Sequence, residues 1–156
     1  MVESNEFFFK PIANSDLEFF NIVRNFSAPF LHNQNIFSLQ ETIEWFRNKP
    51  KSEYWLILLS GNRIGYFRVF YTSTQSIQIG ADLHPDFIGR GIGRKAYINF
   101  AKNILVKKNI KHCTLKVLKT NLRAYHFYKK LGFKEINKSI SDFEMGISVM
   151  DLISLE

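Results

Sequence analysis

Gly89, Gly91 and Gly93 stand at alternate positions in HPDFIGRGIGRKAY, between an apolar alternation, SIQIGADL, and a segment of helical periodicity. A strand that ends and a helix that begins leave unpaired N–H groups and the positive end of the helix dipole in one small volume. Phosphate groups suit such a place, and glycines let a ligand approach the backbone without meeting a side chain. A P-loop is excluded because no Lys-Ser or Lys-Thr follows the glycines. The dinucleotide fingerprint also fits poorly: the spacing is G-x-G-x-G, and the next strand, CTLKVLKTN, has no acidic residue to bind a ribose. An isolated GIG more often serves chain geometry alone, so its surroundings must decide.

Those surroundings read as alternating strands and helices. FFFKPI near the start is strand-like, and SDLEFFNIVRNF has a Ser15…Glu18 capping pattern with Leu17, Phe20 and Val23 at helical spacing. A second capping pattern, Ser38…Glu41, opens SLQETIEWFRN after the loop SAPFLHNQNIF. EYWLILLS and RIGYFRVFY flank Gly61-Asn62, which predicts a hairpin turn there. In SIQIGADL, Ile77, Ile79, Ala81 and Leu83 share one face, while Gln78, Gly80 and Asp82 share the other. Three consecutive strands in a meander are expected. From Gly91 to Lys107 the pattern turns helical, with Tyr97, Phe100, Ala101 and Ile104 on the apolar side. CTLKVL predicts a further strand, NLRAYHFYKKL a helix stopped by Gly132, and FEMGISVMDLI a final strand, so that one or two strands follow the last helix. The expected class is α+β, a mixed sheet with helices packed on it.

Composition bounds the rest. A chain of 156 residues, 46% hydrophobic, has material for one core, so a single domain spanning 1–156 is expected, without repeats or linkers. Its longest apolar run, YWLILL, is far short of the roughly 20 residues of a membrane-spanning helix. MVESNEFFFKP does not read as a signal peptide, which points to the cytoplasm. Cys113 is the single cysteine, and no His or Cys cluster has metal-ligand spacing, so a buried thiol and no metal are expected. A net charge of +7 favours an anionic partner without saying which.

LHPDFIGRGIGRKAY resembles the acyl-CoA pyrophosphate loop of the GNAT superfamily of N-acetyltransferases, Gln/Arg-x-x-Gly-x-Gly/Ala, with Gly91 and Gly93 at its two small positions. NLRAYHFYKKLGF resembles the superfamily's second motif at Asn121, Ala124, Tyr128, Gly132 and Phe133. The resemblance implies a mostly antiparallel sheet splayed between its fourth and fifth strands and flanked by about four helices, with acetyl-CoA as cosubstrate. It implies that Ala81, Asp82 and Leu83 offer backbone groups to the pantetheine and thioester, and that amides across Gly89, Arg90, Gly91, Ile92, Gly93 and Arg94 hold the pyrophosphate. Asn121 would touch the pantetheine arm, and Tyr128 would protonate the departing thiolate. By spacing alone, Tyr128 is an aromatic on the buried side of its helix, beside Ala124 and Leu131.

The chain also departs from the family. Ile88 stands where Gln or Arg is usual, leaving Arg90 or Arg94 to compensate. Gln78 and Lys116 occupy the two positions at which relatives carry a glutamate base. An alkyl amine is mostly protonated at neutral pH, so a base is needed. Asp82 is the first substitute, and a water relay through His84 or His32 the second. Gln78, His32 and His84 are the expected acceptor contacts.

FLHNQNIFSLQETIEWF and KSISDFEM mix aromatic, amide and hydroxyl groups, a lining suited to a polyhydroxy amine such as a nucleotide-linked amino sugar. The alternatives are a protein or peptide acceptor, and a non-catalytic acyl-CoA sensor. No nucleic-acid or membrane partner is expected, and a homodimer is the assembly to test.

Overall fold

A computed structural model describes residues 6–155. The strands are β1 (Phe7–Pro11), β2 (Glu53–Leu59), β3 (Asn62–Tyr71), β4 (Ser76–Leu83), β5 (His112–Leu118), β6 (Lys134–Lys138) and β7 (Asp142–Ser148). The helices are α1 (Leu17–Ser27), α2 (Leu39–Arg47), α3 (Ile92–Phe100), α4 (Leu122–Leu131) and α5 (Val149–Ile153). Sheet order is β1-β2-β3-β4-β5-β7-β6. β1, β2 and β3 pair antiparallel, as do β5, β7 and β6. β4 and β5 pair parallel, at Ser76↔His112, Ile77↔Cys113 and Gln78↔Thr114. β5 continues to Leu118 in register with β7 alone, so its pairing with β4 stops early, as a splayed sheet requires.

Contacts group the chain into two compact units. One holds the chain up to Val69 together with Gly80–Gly93, and the other holds Phe70–Ile79 and the chain from Arg94 onward. In the first unit, α1 buries Leu17, Phe20 and Val23 against Ile12 and Tyr66, with Trp45 and Tyr54 packed beside them. In the second, Phe100, Leu105, Cys113, Leu131, Phe133, Met145 and Leu152 are buried. Among the described residues no helix is long and apolar enough to cross a membrane.

Local chemistry accounts for the places where the elements differ from expectation. Ser15 and Glu18 do not form a capping box. A 3-10 turn, Asn14–Asp16, precedes α1, and the fully buried Asp16 carboxylate accepts from Ala13 N–H at 2.9 Å. It also pairs with Arg63 at 3.0 Å and Lys10 at 3.5 Å, since a buried charge is costly without such partners. The Ser38…Glu41 box does form: Glu41 N–H donates to Ser38 Oγ at 3.1 Å, and Ser38 N–H donates to Glu41 Oε1 at 3.0 Å. The hairpin turns on Ser60-Gly61 rather than Gly61-Asn62. Their φ values of 49° and 84° supply the two left-handed residues a tight hairpin needs, and Asn62 already pairs with Leu59.

α3 runs into a wider π-type turn, Ala101–Leu105, closed by Val106 N–H donating to Ala101 O at 3.0 Å. The extra residue per turn moves the buried position from Ile104 to Leu105. The last predicted strand ends at Ser148, whose Oγ accepts Asp151 N–H at 3.1 Å and starts α5 instead. α5 raises the helices from about four to five.

Candidate active site

Asp82 stands near the end of β4, in the first unit, and the hydroxyl of Tyr66 on β3 donates to its Oδ2 at 2.6 Å. Burial pushes the Asp82 carboxyl above its ordinary value of 3.8. The Tyr66 hydrogen bond and the charges of Arg68 and Arg24 oppose that rise without cancelling it. Burial also pushes the Tyr66 phenol well above 10.0, with the Asp82 charge adding to it, so Tyr66 remains a donor. The result is a carboxylate made more basic than usual and held in place by one short bond.

The β3 backbone allows this approach at Gly65, where an added Cβ would lie 2.2 Å from the Asp82 carbonyl oxygen. At Gly80, an added Cβ would lie 2.9 Å from Arg68 Nη2, so the guanidinium lies across a position that carries no side chain. Asp82, Tyr66 and Arg68 line one cavity of about 660 Å³ with Phe20, Trp45 and Tyr54. Phe20 packs 4.5 Å from Tyr66 and 5.2 Å from Trp45, centroid to centroid, giving that cavity an aromatic floor.

The far wall is a loop held by the polar side of α1. Arg24 donates to Asn35 O at 2.9 Å and its guanidinium sits 4.9 Å from the Phe37 ring centre. Asn25 donates to Phe37 O at 2.7 Å, and Asn21 donates to Phe37 O and to Thr42 Oγ1, both at 2.9 Å. His32, on that loop, and Glu41 and Glu44, on α2, complete the lining. Of the predicted site residues, the structure thus brings Asp82 and His32 together.

His84 Nδ1 accepts Asp86 N–H at 3.2 Å and caps the turn Pro85–Phe87. Gln78 belongs to the second unit, in the short ladder opposite Thr114. Lys116 is opposite Glu144 on β7. Ala81 and Leu83 flank Asp82, and both are half-buried.

The glycine loop fits a phosphate-bearing ligand. Gly89 and Gly91 have φ values of 78° and 74°, a region that side chains disfavour. Ile88, Gly89, Arg90 and Gly91 are all exposed, and a Cβ at Gly91 would meet open space. α3 begins at Ile92, with Gly93 inside its first turn rather than in the loop itself. Arg90 donates to Asp86 O at 3.2 Å, which leaves its charge beside the loop.

In the second unit, Asn121 caps α4, its Oδ1 accepting Ala124 N–H at 3.2 Å. Gly132 ends the helix at φ 105°. The half-buried Tyr128 meets the hydroxyl of the buried Tyr97 at 2.9 Å. Arg94 donates to Lys130 O at 3.4 Å. Cys113 is buried, and burial pushes its thiol up to about 12, so it offers no thiolate at neutral pH. Among the described residues, no group of three or more His, Cys, Asp or Glu is arranged to hold a metal ion.

A family model described as Acetyltransferase (GNAT) family matches residues 19–133. The chain belongs to the GNAT family. By that membership it is an acetyltransferase. Curated proteins compared by sequence give no match. Among solved structures, the chain is similar to a domain from Methanocaldococcus jannaschii at 21% identity and TM-score 0.77, covering 92% of this chain and 98% of that one. It is also similar to spermidine N-acetyltransferase from Vibrio cholerae in complex with CoA and spermine, at 19% identity and TM-score 0.77, covering 94% and 98%. A third similar structure is apo FdhC, a nucleotide-linked sugar GNAT, at 17% identity and TM-score 0.71, covering 96% and 90%. At these identities the likeness is one of fold.

Sequence reasoning missed Tyr66, Arg68, Tyr54 and Trp45 as site residues. One signal was present in RIGYFRVFY: Arg68 falls on the Ile64 and Tyr66 side of an otherwise apolar alternation.

Proposed function

We propose that this GNAT enzyme acetylates the primary amine of a small polar acceptor that also carries an anionic group, with a nucleotide-linked amino sugar as the leading class. The observation that carries the reading is the cavity in which the Asp82–Tyr66 pair sits beside Arg68 over an aromatic floor. Asp82 takes the ammonium or attacking amine's proton, directly or through a water, and its raised pKa makes it a better base than an ordinary aspartate. Arg68 draws the acceptor's anionic group, and Trp45 and Tyr54 offer faces for stacking.

Acetyl-CoA, when bound, supplies an acyl group activated as a thioester. By the family resemblance, amides from Gly89 to Arg94 would hold its pyrophosphate, backbone groups of Ala81 and Leu83 would align the pantetheine, and Asn121 would touch the arm. Tyr128 returns a proton to the departing sulfur. The acyl group passes directly to the amine, since the only cysteine is protonated and buried.

Glu41 and Glu44 in the same cavity favour a second reading, a polyamine acceptor. Thiol release from acetyl-CoA, measured with nucleotide-linked amino sugars, the corresponding free sugars, spermidine and an alanine-ended peptide, separates the readings. Turnover highest on the nucleotide-linked sugar and lost in Asp82→Asn is the expected result. Turnover on spermidine alone would establish the second reading, and acetyl-CoA binding without turnover on any amine would overturn both in favour of a sensor.

A further inference from the structure

Tyr97 belongs to the apolar side of α3, and helical spacing alone gives it a packing role. Its ring does pack: Phe127, Tyr128 and Phe133 lie within 6.4 Å of it, centroid to centroid, the last two edge-on. Packing does not account for the hydroxyl. A phenylalanine would fill the same space, yet the hydroxyl of Tyr97, a residue 2% exposed, sits 2.9 Å from that of Tyr128.

We infer that Tyr97 is a positioning residue for the proton-donating step, its O–H donating to Tyr128 Oη. This inference rests on the proposed role of Tyr128 as proton donor. Each phenol has one proton to give. For Tyr128 to direct its own at the departing sulfur, the bond between the two hydroxyls must run from Tyr97 to Tyr128. That direction fixes the Tyr128 oxygen and leaves its proton aimed away from Tyr97.

In the step itself, the Tyr128 O–H bond breaks, an S–H bond forms, and the negative charge left by the thiolate comes to rest on Tyr128 Oη. Tyr97 keeps its proton and donates to the new phenolate, a bond stronger than the neutral one it replaces. Solvent reprotonates Tyr128, the more exposed of the pair, once products have left. Tyr97 thus favours the state after proton transfer over the state before it, which is what accelerates a step rather than merely tightening binding.

Tyr97→Phe keeps the ring and removes only the donor. The expected loss in turnover is about tenfold to a hundredfold, the worth of one hydrogen bond to a charged group, with the KM for acetyl-CoA unchanged. A second readout needs no turnover: in protein carrying ring-labelled tyrosine, the NMR signal that disappears in Tyr128→Phe is Tyr128, and it should titrate at higher pH in Tyr97→Phe. The same substitution in a Tyr128→Phe background should cause no further loss in turnover.

An unchanged Tyr128 titration in a folded Tyr97→Phe protein, or an equal loss in both backgrounds, would overturn the inference and leave Tyr97 a packing residue. Full activity in Tyr128→Phe would instead overturn the reading of Tyr128 on which it depends.

Discussion

Replacing Gly65 with alanine tests whether the β3–β4 approach sets the position of Asp82. An ideal Cβ there would lie 2.2 Å from Asp82 O, 2.9 Å from Leu83 Cδ2 and 3.0 Å from Leu83 Cα. Ordinary contact begins at 3.4 Å, so Cβ and the Asp82 carbonyl must separate by about 1.2 Å, and two of the three obstructing atoms are backbone. Such overpacking costs about 1–3 kcal/mol, against which glycine's strand penalty of about 0.5–1 kcal/mol is recovered. The net is destabilising, and for a chain of this length each kcal/mol lowers the melting temperature by about 2–4 °C. The larger effect is chemical: a base displaced by about 1 Å loses about a hundredfold in rate. Melting curves, and kcat/KM on the preferred acceptor at a temperature where the variant is folded, check the two effects together. Gly61→Ala is the control. Its Cβ would meet nothing within 4 Å, but φ is 84°, so stability should fall through backbone strain while activity of the folded protein stays. A Gly65→Ala protein as stable and active as the parent would refute the link between this contact and the site.

Asp82→Asn should lower kcat by about 10²- to 10⁴-fold, the range for loss of a general base. Because the folded-state pKa of Asp82 lies above 3.8, its ionised form costs stability above that raised pKa, and the cost is relieved as pH falls through it. The variant should therefore melt higher than the parent at neutral pH and converge with it in acid, as scanning calorimetry across pH will show. Arg68→Gln should lower kcat/KM about tenfold to a hundredfold for an acceptor bearing phosphate and little for the same amine without it, which steady-state kinetics on the matched pair will reveal. Cys113→Ala should retain kcat with a modest fall in melting temperature, and a covalent acetyl adduct on Cys113 in intact-protein mass spectra would contradict direct transfer.

Local signals reached the elements and the loop. The alternation of SIQIGADL coincides with β4, Ser76–Leu83, because a strand with one buried face must alternate, and Ile77 and Ile79 are indeed buried. Gly132 ends α4 in the left-handed conformation that its place after a periodic segment implies. What stayed hidden depends on pairing between distant segments. Alternation says that Tyr66 and Arg68 share a face of β3, and that Asp82 and Gly80 share a face of β4. It leaves the register between the strands open by any even number of residues, and only the register brings Tyr66 Oη to Asp82 and Arg68 across Gly80. β6 was illegible for another reason: all five residues of KEINK are exposed, so no buried face marks it as a strand. α5 was absorbed into the strand before it because VMDLI is as apolar as FEMGIS, and only the Ser148 cap distinguishes the two.

The chain's departures from the family's usual base positions acquire a physical sense once Asp82 is seen with its neighbours. By alternation Gln78 and Asp82 share a face of β4, four residues apart, with an amide near the strand's start and a carboxylate near its end. At Asp82 the carboxylate is held by a phenol that burial keeps protonated, and it lies in the field of two arginines. Those arginines lower the pKa of Asp82, whereas burial raises it, and burial prevails. A cation-only acceptor has no use for Arg68 in that cavity, and its approach would be opposed by it. An acceptor with an anion near its amine satisfies both charges at once, the anion on Arg68 and the amine on Asp82. On the proposed reading, with Asp82 as the base that burial makes it, the neighbouring Arg68 also discriminates among amines, and substitutions at Arg68 and Asp82 should be non-additive for an anion-bearing acceptor while adding independently for a simple amine.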